Sequence, residues 1–352
     1  MAHKNSAPDR KIKILRIVSN LGIGGIQRQM LLQVDYIQRH HPEVQLDVCA
    51  FYRGGRLEKA FKEKTKVLVV NAPHKYSLKA LLSLSRLFQN YDLIHIHKME
   101  DIIPICSLAA AICGKKTVLH FHFTYGWPNR KKRLMEKLCC ARAEKAAAVS
   151  HTVLTHISRK LFPYPHRFKC VYNGVKIREI KKEKSAIHRI GVISRLERFK
   201  NIDAFIEAVN RLREKRKDVK GLIAGAGSTE EELKRLSKDG IAFLGEKEKI
   251  DEILKKLDVG VLPSRKEGFS NTILEYMASQ TPAVISNIPQ NREAIPDGNT
   301  GYPVRIEELT EAISQAVERP ASARKKALNA KRRACRFSIE KAVKGIYGRW
   351  IG

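Results

Sequence analysis

Residues 259–286 read Val-Gly-Val-Leu-Pro-Ser-Arg-Lys-Glu-Gly-Phe-Ser-Asn-Thr-Ile-Leu-Glu-Tyr-Met-Ala-Ser-Gln-Thr-Pro-Ala-Val-Ile-Ser. The apolar run ending at Leu262 reads as a buried strand. Gly268-Phe269 is a turn, and Ser270-Asn271-Thr272 is a polar entry into a helix. A second apolar run, 283–286, follows. Strand, helix and strand make the repeating unit of a parallel sheet. The helix start offers backbone N–H groups without intrahelical partners, and the helix dipole adds partial positive charge, which suits an anion. Glu267 and Glu275 stand eight positions apart across this start. Glu275, about one turn in, could accept from two adjacent hydroxyls such as those of a ribose. An anion and a diol held side by side suggest a nucleotide. A well-capped helix with no ligand explains the same Ser and Glu, so the rest of the chain decides.

The same rhythm runs through most of the 352 residues. Residues 14–18, 45–50, 67–70, 93–97 and 117–121 read as strands, with shorter ones at 147–149 and 169–171. Helical spacing appears at 27–38, 57–63 and 78–88. A polar stretch, 173–186, interrupts the pattern. Strands then return at 189–194, 221–224, 241–244, 258–262 and 283–286, with helices at 201–215, 230–238, 250–256 and 272–279. The expected fold is α/β: two Rossmann-like, doubly wound domains facing a cleft at the carboxyl ends of both sheets. The length suits two domains. The expected boundaries are 1–176 and 177–335, with 336–352 as a C-terminal helix packing back on the first domain. Residues 321–349 read as one basic, helix-prone tail.

A formal net charge of +31 implies attraction to something anionic: a membrane surface, a nucleic acid or a phosphorylated glycolipid. Basic clusters lie at 53–66, 130–133 and 324–336; together they suggest a protein peripheral to an anionic inner leaflet. The longest apolar run, 102–113, is too short to cross a bilayer and contains Pro104. Residues 1–13 are polar, so no signal peptide is expected. Seven cysteines without a Cys-x-x-Cys pair fit a reducing cytosol. Adjacent Cys139 and Cys140 read as packed in a helix.

Three further sets of residues carry chemistry. Gly24-Gly25 follows the first strand, where glycine lets backbone approach a diphosphate. A dinucleotide fingerprint needs glycine where Gln27 stands, and Gly225-Ala226-Gly227 fails likewise at Glu230, so a nicotinamide cofactor is disfavoured. Arg195 and Lys200 follow the first strand of the second domain, placed to neutralise a diphosphate leaving group; in so basic a chain a surface pair is the plain alternative. His95, His97, His120 and His122 form two His-x-His pairs at strand ends, each pair on one face. No third-ligand spacing supports zinc, and buried strand-end histidines are commoner.

In this order the pieces resemble the retaining glycosyltransferases of family GT4, which have the GT-B fold, over almost the whole chain. Glu267 to Glu275 looks like that family's E-x7-E motif. Arg195-Leu196 with Lys200 looks like its R-L-x-x-x-K segment, and Gly24-Gly25 like its N-terminal glycine pair. His122 stands at the position of the strand-end histidine near the donor sugar. Asn173-Gly174-Val175 and the stretch 293–301 match two further segments. The chain departs from the pattern at Gln27, at Gln280 before Thr281-Pro282, and at 287–290. These departures bear on the sugar more than on the reaction.

The resemblance implies a nucleotide-diphosphate sugar donor, UDP-sugar favoured and GDP-mannose the other option, with no cofactor and no metal. Gly268, Phe269, Ser270 and Asn271 would meet the phosphates, Glu275 the ribose and Glu267 the sugar. Arg195 and Lys200 would stabilise the leaving diphosphate, and His122 would position the sugar. The acceptor would be lipid-linked, of lipopolysaccharide type, or a polysaccharide, at the cytoplasmic face of the inner membrane. Two rivals are an epimerase-type enzyme of the same fold and a basic nucleic-acid-binding protein.

Overall fold

The computed structural model describes residues 11–98, 101–126, 129–161, 167–183 and 185–351. The stretch read as free of a signal peptide lies, up to residue 10, outside them. The chain divides into two units, Met1–Asn173 with Ile339–Gly352, and Gly174–Ser338. The first cut falls three residues before the expected boundary, and the return to the first unit three residues after it.

The first unit alternates strands and helices: β1 (Ile12–Asn20), α1 (Gly25–His40), β2 (Val44–Arg53), α2 (Glu58–Lys62), β3 (Val67–Val69), α3 (Leu78–Phe88), β4 (Leu93–His97), α4 (Ile103–Ile112), β5 (Lys116–Phe121), α5 (Arg130–Arg142), β6 (Lys145–Ala148), α6 (His151–Leu161) and β7 (Phe168–Cys170). The sheet is parallel in the order β3-β2-β1-β4-β5-β6-β7. Its strands are apolar on both faces because helices cover both. Ser77 caps α3 by accepting from Ala80 N at 3.2 Å, and Asn129 caps α5 by accepting from Lys132 N at 2.8 Å. The run 102–113 holds α4, too uniformly apolar to show a 3.6-residue period. It packs between α3 and α5.

The second unit comprises β8 (His188–Ile193), a 3-10 turn (Arg198–Lys200), α7 (Ile202–Lys215), β9 (Val219–Ala224), α8 (Glu230–Leu236), β10 (Ile241–Gly245), α9 (Asp251–Lys256), β11 (Val259–Leu262), α10 (Asn271–Ala278), β12 (Ala283–Ser286), α11 (Pro289–Ala294), β13 (Tyr302–Val304), α12 (Leu309–Glu318) and α13 (Pro320–Ala334). Its parallel sheet runs β10-β9-β8-β11-β12-β13. The sequence reading missed β13, a three-residue edge strand containing Pro303, where a missing N–H costs nothing. In each sheet the order reverses once, at β1/β4 and at β8/β11. Such switch points are where doubly wound sheets bind ligands.

The expected single tail is two helices in different units. α13 packs on α10, whereas α14 (Ile339–Tyr347) packs on α1. Ile339, Val343, Ile346 and Tyr347 join a core with Ile14, Val34 and Val48. Lys145 Nζ donates to the last-turn carbonyls of α14, Gly345 at 3.0 Å and Ile346 at 2.8 Å, where the helix dipole favours a cation. All seven cysteines are free thiols, and Cys139 and Cys140 lie within α5. No helix among the described residues is long and apolar enough to cross a membrane.

Candidate active site

In the second unit, α10 starts directly beyond β11, capped by Ser270, whose Oγ accepts from Ile273 N at 3.4 Å. Gly268 and Phe269 are buried, and Phe269 packs 5.2 Å from the ring of Phe337. Glu267 is 4% exposed, and its Oε1 accepts from Lys200 Nζ at 2.6 Å. Two residues expected to act separately therefore form one buried ion pair. Removing one partner of such a pair costs about 3–5 kcal/mol. Arg195 is exposed and has no ion-pair partner among the described residues. Its guanidinium and the Lys200 ammonium lie 5.6 and 5.3 Å from the centre of the Phe199 ring, so the ring gathers both cations.

The local sequence explains this placement. Arg265 N donates to Phe199 O at 2.8 Å, and Arg265 Nε to Asn201 Oδ1 at 2.7 Å, tying the loop after β11 to the loop after β8. A Cβ on Gly225 would stand 1.7 Å from Ser194 O, and one on Gly227 2.2 Å from Leu196 O. These glycines are not a dinucleotide fingerprint. They let the loop after β9 lie against the loop carrying Arg195, sealed by Leu196 N donating to Ala226 O at 2.9 Å. Tyr276 works from the other side. Its hydroxyl lies 3.3 Å from Ile193 N, 3.2 Å from Gly191 O and 3.3 Å from Val261 O, at the switch point between β8 and β11. Thr272 Oγ1 donates to Ile193 O at 2.8 Å. Gly260 leaves room for the Tyr276 ring, which a Cβ there would meet at 2.7 Å.

Glu275 is the fifth residue of α10. Its Oε2 accepts from Arg178 at 3.0 Å, and Arg178 also pairs with Asp251. Arg178 lies in the polar stretch, 173–186, that interrupts the strand–helix pattern. Lys182, in the same stretch, donates to Leu254 O at 2.7 Å, Leu257 O at 3.1 Å and Thr281 Oγ1 at 2.5 Å. Its burial pulls the ammonium down to about 8. A run of Lys and Glu does not reveal which members turn inward. Gln280 has φ +53° and closes α10: its N–H reaches Met277 O at 3.3 Å, and Thr281 N–H reaches Tyr276 O at 2.9 Å. This is a Schellman ending, whose left-handed position suits glycine.

In the first unit, Gly24 caps α1 and Gly25 begins it. A Cβ on Gly24 would stand 2.6 Å from Gln27 Oε1. The Gln27 amide donates to Asn20 O at 3.1 Å, so this departure from the family pattern braces the glycine loop. Strand register sets His97 opposite His120. His95, His97, His120 and His122 form a buried stack with ring centres 4.3–5.3 Å apart. Three of them, His95, His97 and His120, bring ligand atoms within 4.8 Å of one another. The third ligand that sequence spacing lacked comes from strand pairing.

The bonding runs otherwise. Arg16, wholly buried in β1, donates through Nε to Tyr347 Oη at 2.8 Å and through Nη2 to Gln33. The Tyr347 hydroxyl then donates to His95 Nδ1 at 2.6 Å. His95 so carries its proton on Nε2 and donates to His120 Nδ1 at 3.2 Å. His120 is thereby protonated at Nε2, which has no partner among the described residues. His97 Nδ1 lies 2.9 Å from His122 Nε2. Burial first, then the charge of Arg16 or neighbouring rings, drives all four histidines down, His122 to about 3. A metal cation would have to displace these bonds beside a buried guanidinium. The stack presents neutral imidazoles.

Two family models match consecutive stretches: Glycosyltransferase Family 4 over residues 23–179, and Glycosyl transferases group 1 over residues 187–320. The chain belongs to the family 4 glycosyltransferases. It is a glycosyltransferase with the GT-B fold, and the epimerase and nucleic-acid readings fall away. It is 25% identical to a UDP-Gal:alpha-D-GlcNAc-diphosphoundecaprenol alpha-1,3-galactosyltransferase of Escherichia coli, over 97% of each chain. It is 31% identical to a lipopolysaccharide core biosynthesis mannosyltransferase of Rhizobium leguminosarum, over 58% of this chain and 61% of that one. The crystal structure of Anabaena HepE in complex with UDP and glucose superposes with a TM-score of 0.81 at 19% identity, covering 96% of this chain and 99% of that one.

Proposed function

We propose that this glycosyltransferase moves a hexose from UDP-sugar to a lipid-linked or lipopolysaccharide-type acceptor, with retention at the anomeric carbon and without a metal, at an anionic membrane face. The observation that carries the donor reading is the Lys200–Glu267 pair beside exposed Arg195, at the start of α10. The full-length likeness to an enzyme named for UDP-Gal and a diphosphoundecaprenol acceptor supports the substrate classes.

The second unit holds the donor. Gly268, Phe269, Ser270 and Asn271 bring the helix start to the diphosphate. Glu275, oriented by Arg178, receives the ribose hydroxyls. Glu267 holds Lys200 in place and turns its carboxylate to the sugar. Arg195 and Lys200 stabilise the charge that grows on the departing diphosphate, the role a divalent metal plays elsewhere. In the first unit, Gly24-Gly25 lets backbone approach the donor, and His122, neutral and held by His97, orients sugar hydroxyls. The acceptor hydroxyl enters on the face the diphosphate leaves, and the donor phosphate takes its proton.

A donor screen by thermal shift tests the reading. Bound ligand stabilises by RT ln(1 + [L]/Kd), about 2.7 kcal/mol at a hundredfold excess over Kd. UDP and UDP-sugars are expected to raise Tm well above GDP, ADP and their sugars. Turnover is expected to survive EDTA, and the product anomer, read by NMR, to match the donor. A strict Mg²⁺ requirement or an inverted anomer refutes the mechanism; a GDP-specific shift refutes the donor.

A further inference from the structure

Ten large apolar side chains are markedly exposed among the described residues, and six of them stand on three neighbouring helices of the first unit. They are Leu78 and Leu82 on α3, Leu108 and Ile112 on α4, and Leu134 and Leu138 on α5, each between 51% and 68% exposed. α3 packs on α4 and α4 on α5, so the three helices make one continuous layer. Within each helix the two residues are four apart, hence on one side. That side is not the core side, which α3 fills with Ala80, Leu84 and Phe88, and α4 with Ile105, Cys106 and Ala109. Each helix therefore carries a second, outward apolar stripe. In sequence the stripe merges with the core pattern.

Charge follows the stripes. Arg86 continues Leu78 and Leu82 by one more turn. Arg130 and Arg142 bracket Leu134 and Leu138 at the same spacing. α3 carries two Lys and Arg and α5 carries six; Lys132 is paired with Asp101 just before α4, which leaves seven cations over the layer. The only acid on α3, α4 and α5 is Glu136, which is fully buried and paired with Lys98. An outward face of aliphatic side chains flanked by cations, with no exposed acid, matches the layered chemistry of an anionic bilayer: acyl chains beneath phosphate.

We propose that the α3–α4–α5 layer is the surface by which this protein docks on an anionic lipid bilayer, its six aliphatic side chains entering the interface while the cations of α3 and α5 meet lipid phosphates. The inference rests on the membrane part of the function proposed above and gives it a place. It also separates the three basic clusters of the sequence. The clusters at 53–66 and 324–336 lack such stripes; α13 exposes only Leu328 among its large apolar side chains. A second copy of this chain fits the layer poorly, because pairing it with itself would set seven unpaired cations against seven.

The experiment is flotation with vesicles of phosphatidylglycerol and of phosphatidylcholine at several salt concentrations. The probes are the wild type, a stripe variant (Leu82→Ser/Leu134→Ser/Leu138→Ser) and a charge control on α13 (Arg324→Ser/Lys325→Ser/Arg332→Ser). The wild type is expected to float with the anionic vesicles, weakening but persisting as salt rises. The stripe variant is expected to bind about tenfold or more weakly. The α13 control should stay within about threefold of wild type, since only cations near the surface contribute. UDP-induced thermal shift, measured on all three, reports folding and the donor site separately. If wild type and stripe variant float alike, the surface is wrong while the membrane reading stands. If the wild type ignores anionic vesicles, both fail and the donor reading is untouched. If light scattering shows a dimer that the stripe substitutions dissociate without changing flotation, the layer is a protein interface and the proposal is overturned.

Discussion

At the carboxyl end of the second unit's sheet, acids and bases stand in pairs: Glu267 with Lys200, and Glu275 with Arg178. Along β1, β4 and β5 of the first unit's sheet and just past β5, four histidines and an arginine crowd together, and among the described residues no carboxylate bonds to any of them. The first arrangement suits a ligand that arrives charged and leaves more so. In the second, burial holds the four imidazoles neutral beside the Arg16 guanidinium, an arrangement suited to hydroxyls. One fold, used twice, is tuned at the same switch point by what lies beside the loops: ions in one unit, stacked rings in the other.

Acid gives the largest expected break in this contrast. The folded histidines titrate well below their unfolded value near 6.5. The unfolded chain then binds more protons below pH 6.5, so stability is full above that pH and is lost as pH falls toward the folded values. Each ring contributes up to about 1.4 kcal/mol per pH unit over that window. Hydrogen exchange at pH 5 should show β4 and β5 opening well before β8 and β11. Equal protection in both sheets contradicts the neutral stack.

Breaking an ion pair comes next. Glu267→Ala leaves Lys200 buried alone and is expected to cost about 3–5 kcal/mol in denaturant unfolding, whereas Lys200→Met/Glu267→Leu restores most of the stability without restoring turnover. Full stability in the single variant would mean the pair is not buried in solution. Arg195→Ala sharpens the same point from the exposed side. It should lower kcat by about 10²–10³ with Tm unchanged, and a loss of less than tenfold removes Arg195 from the transition state. The smallest effect is a gain. Gln280→Gly relieves a left-handed residue and should stabilise by about 0.5–1 kcal/mol, read as a raised urea midpoint.

The sequence showed the strands of both sheets because parallel strands buried on both faces are short, uniform apolar runs. Glu267, Glu275, Arg195 and Lys200 were legible as a set because they sit at fixed distances from strand ends. That Lys200 pairs with Glu267 was not, since it depends on Arg265 tying two loops separated by more than sixty residues. Arg178 and Lys182 hid in a charged stretch whose composition resembles a solvated linker. His120 met His95 only through strand register. The outward stripes of α3 and α5 escaped because apolar residues four apart look the same whether they face a core or a bilayer.

Arg16 and Tyr347, hydrogen-bonded across 331 positions, set an order of events during synthesis. The second unit is one uninterrupted segment and can close as soon as residue 338 clears the ribosome. The first unit is built from two segments, 1–173 and 339–352, and its core closes only when α14 joins it. At about 5–20 residues per second, β1 waits roughly 15–65 seconds for the phenol that accepts from its buried guanidinium. Through that wait the α1 surface that α14 covers in the finished unit stays open to solvent.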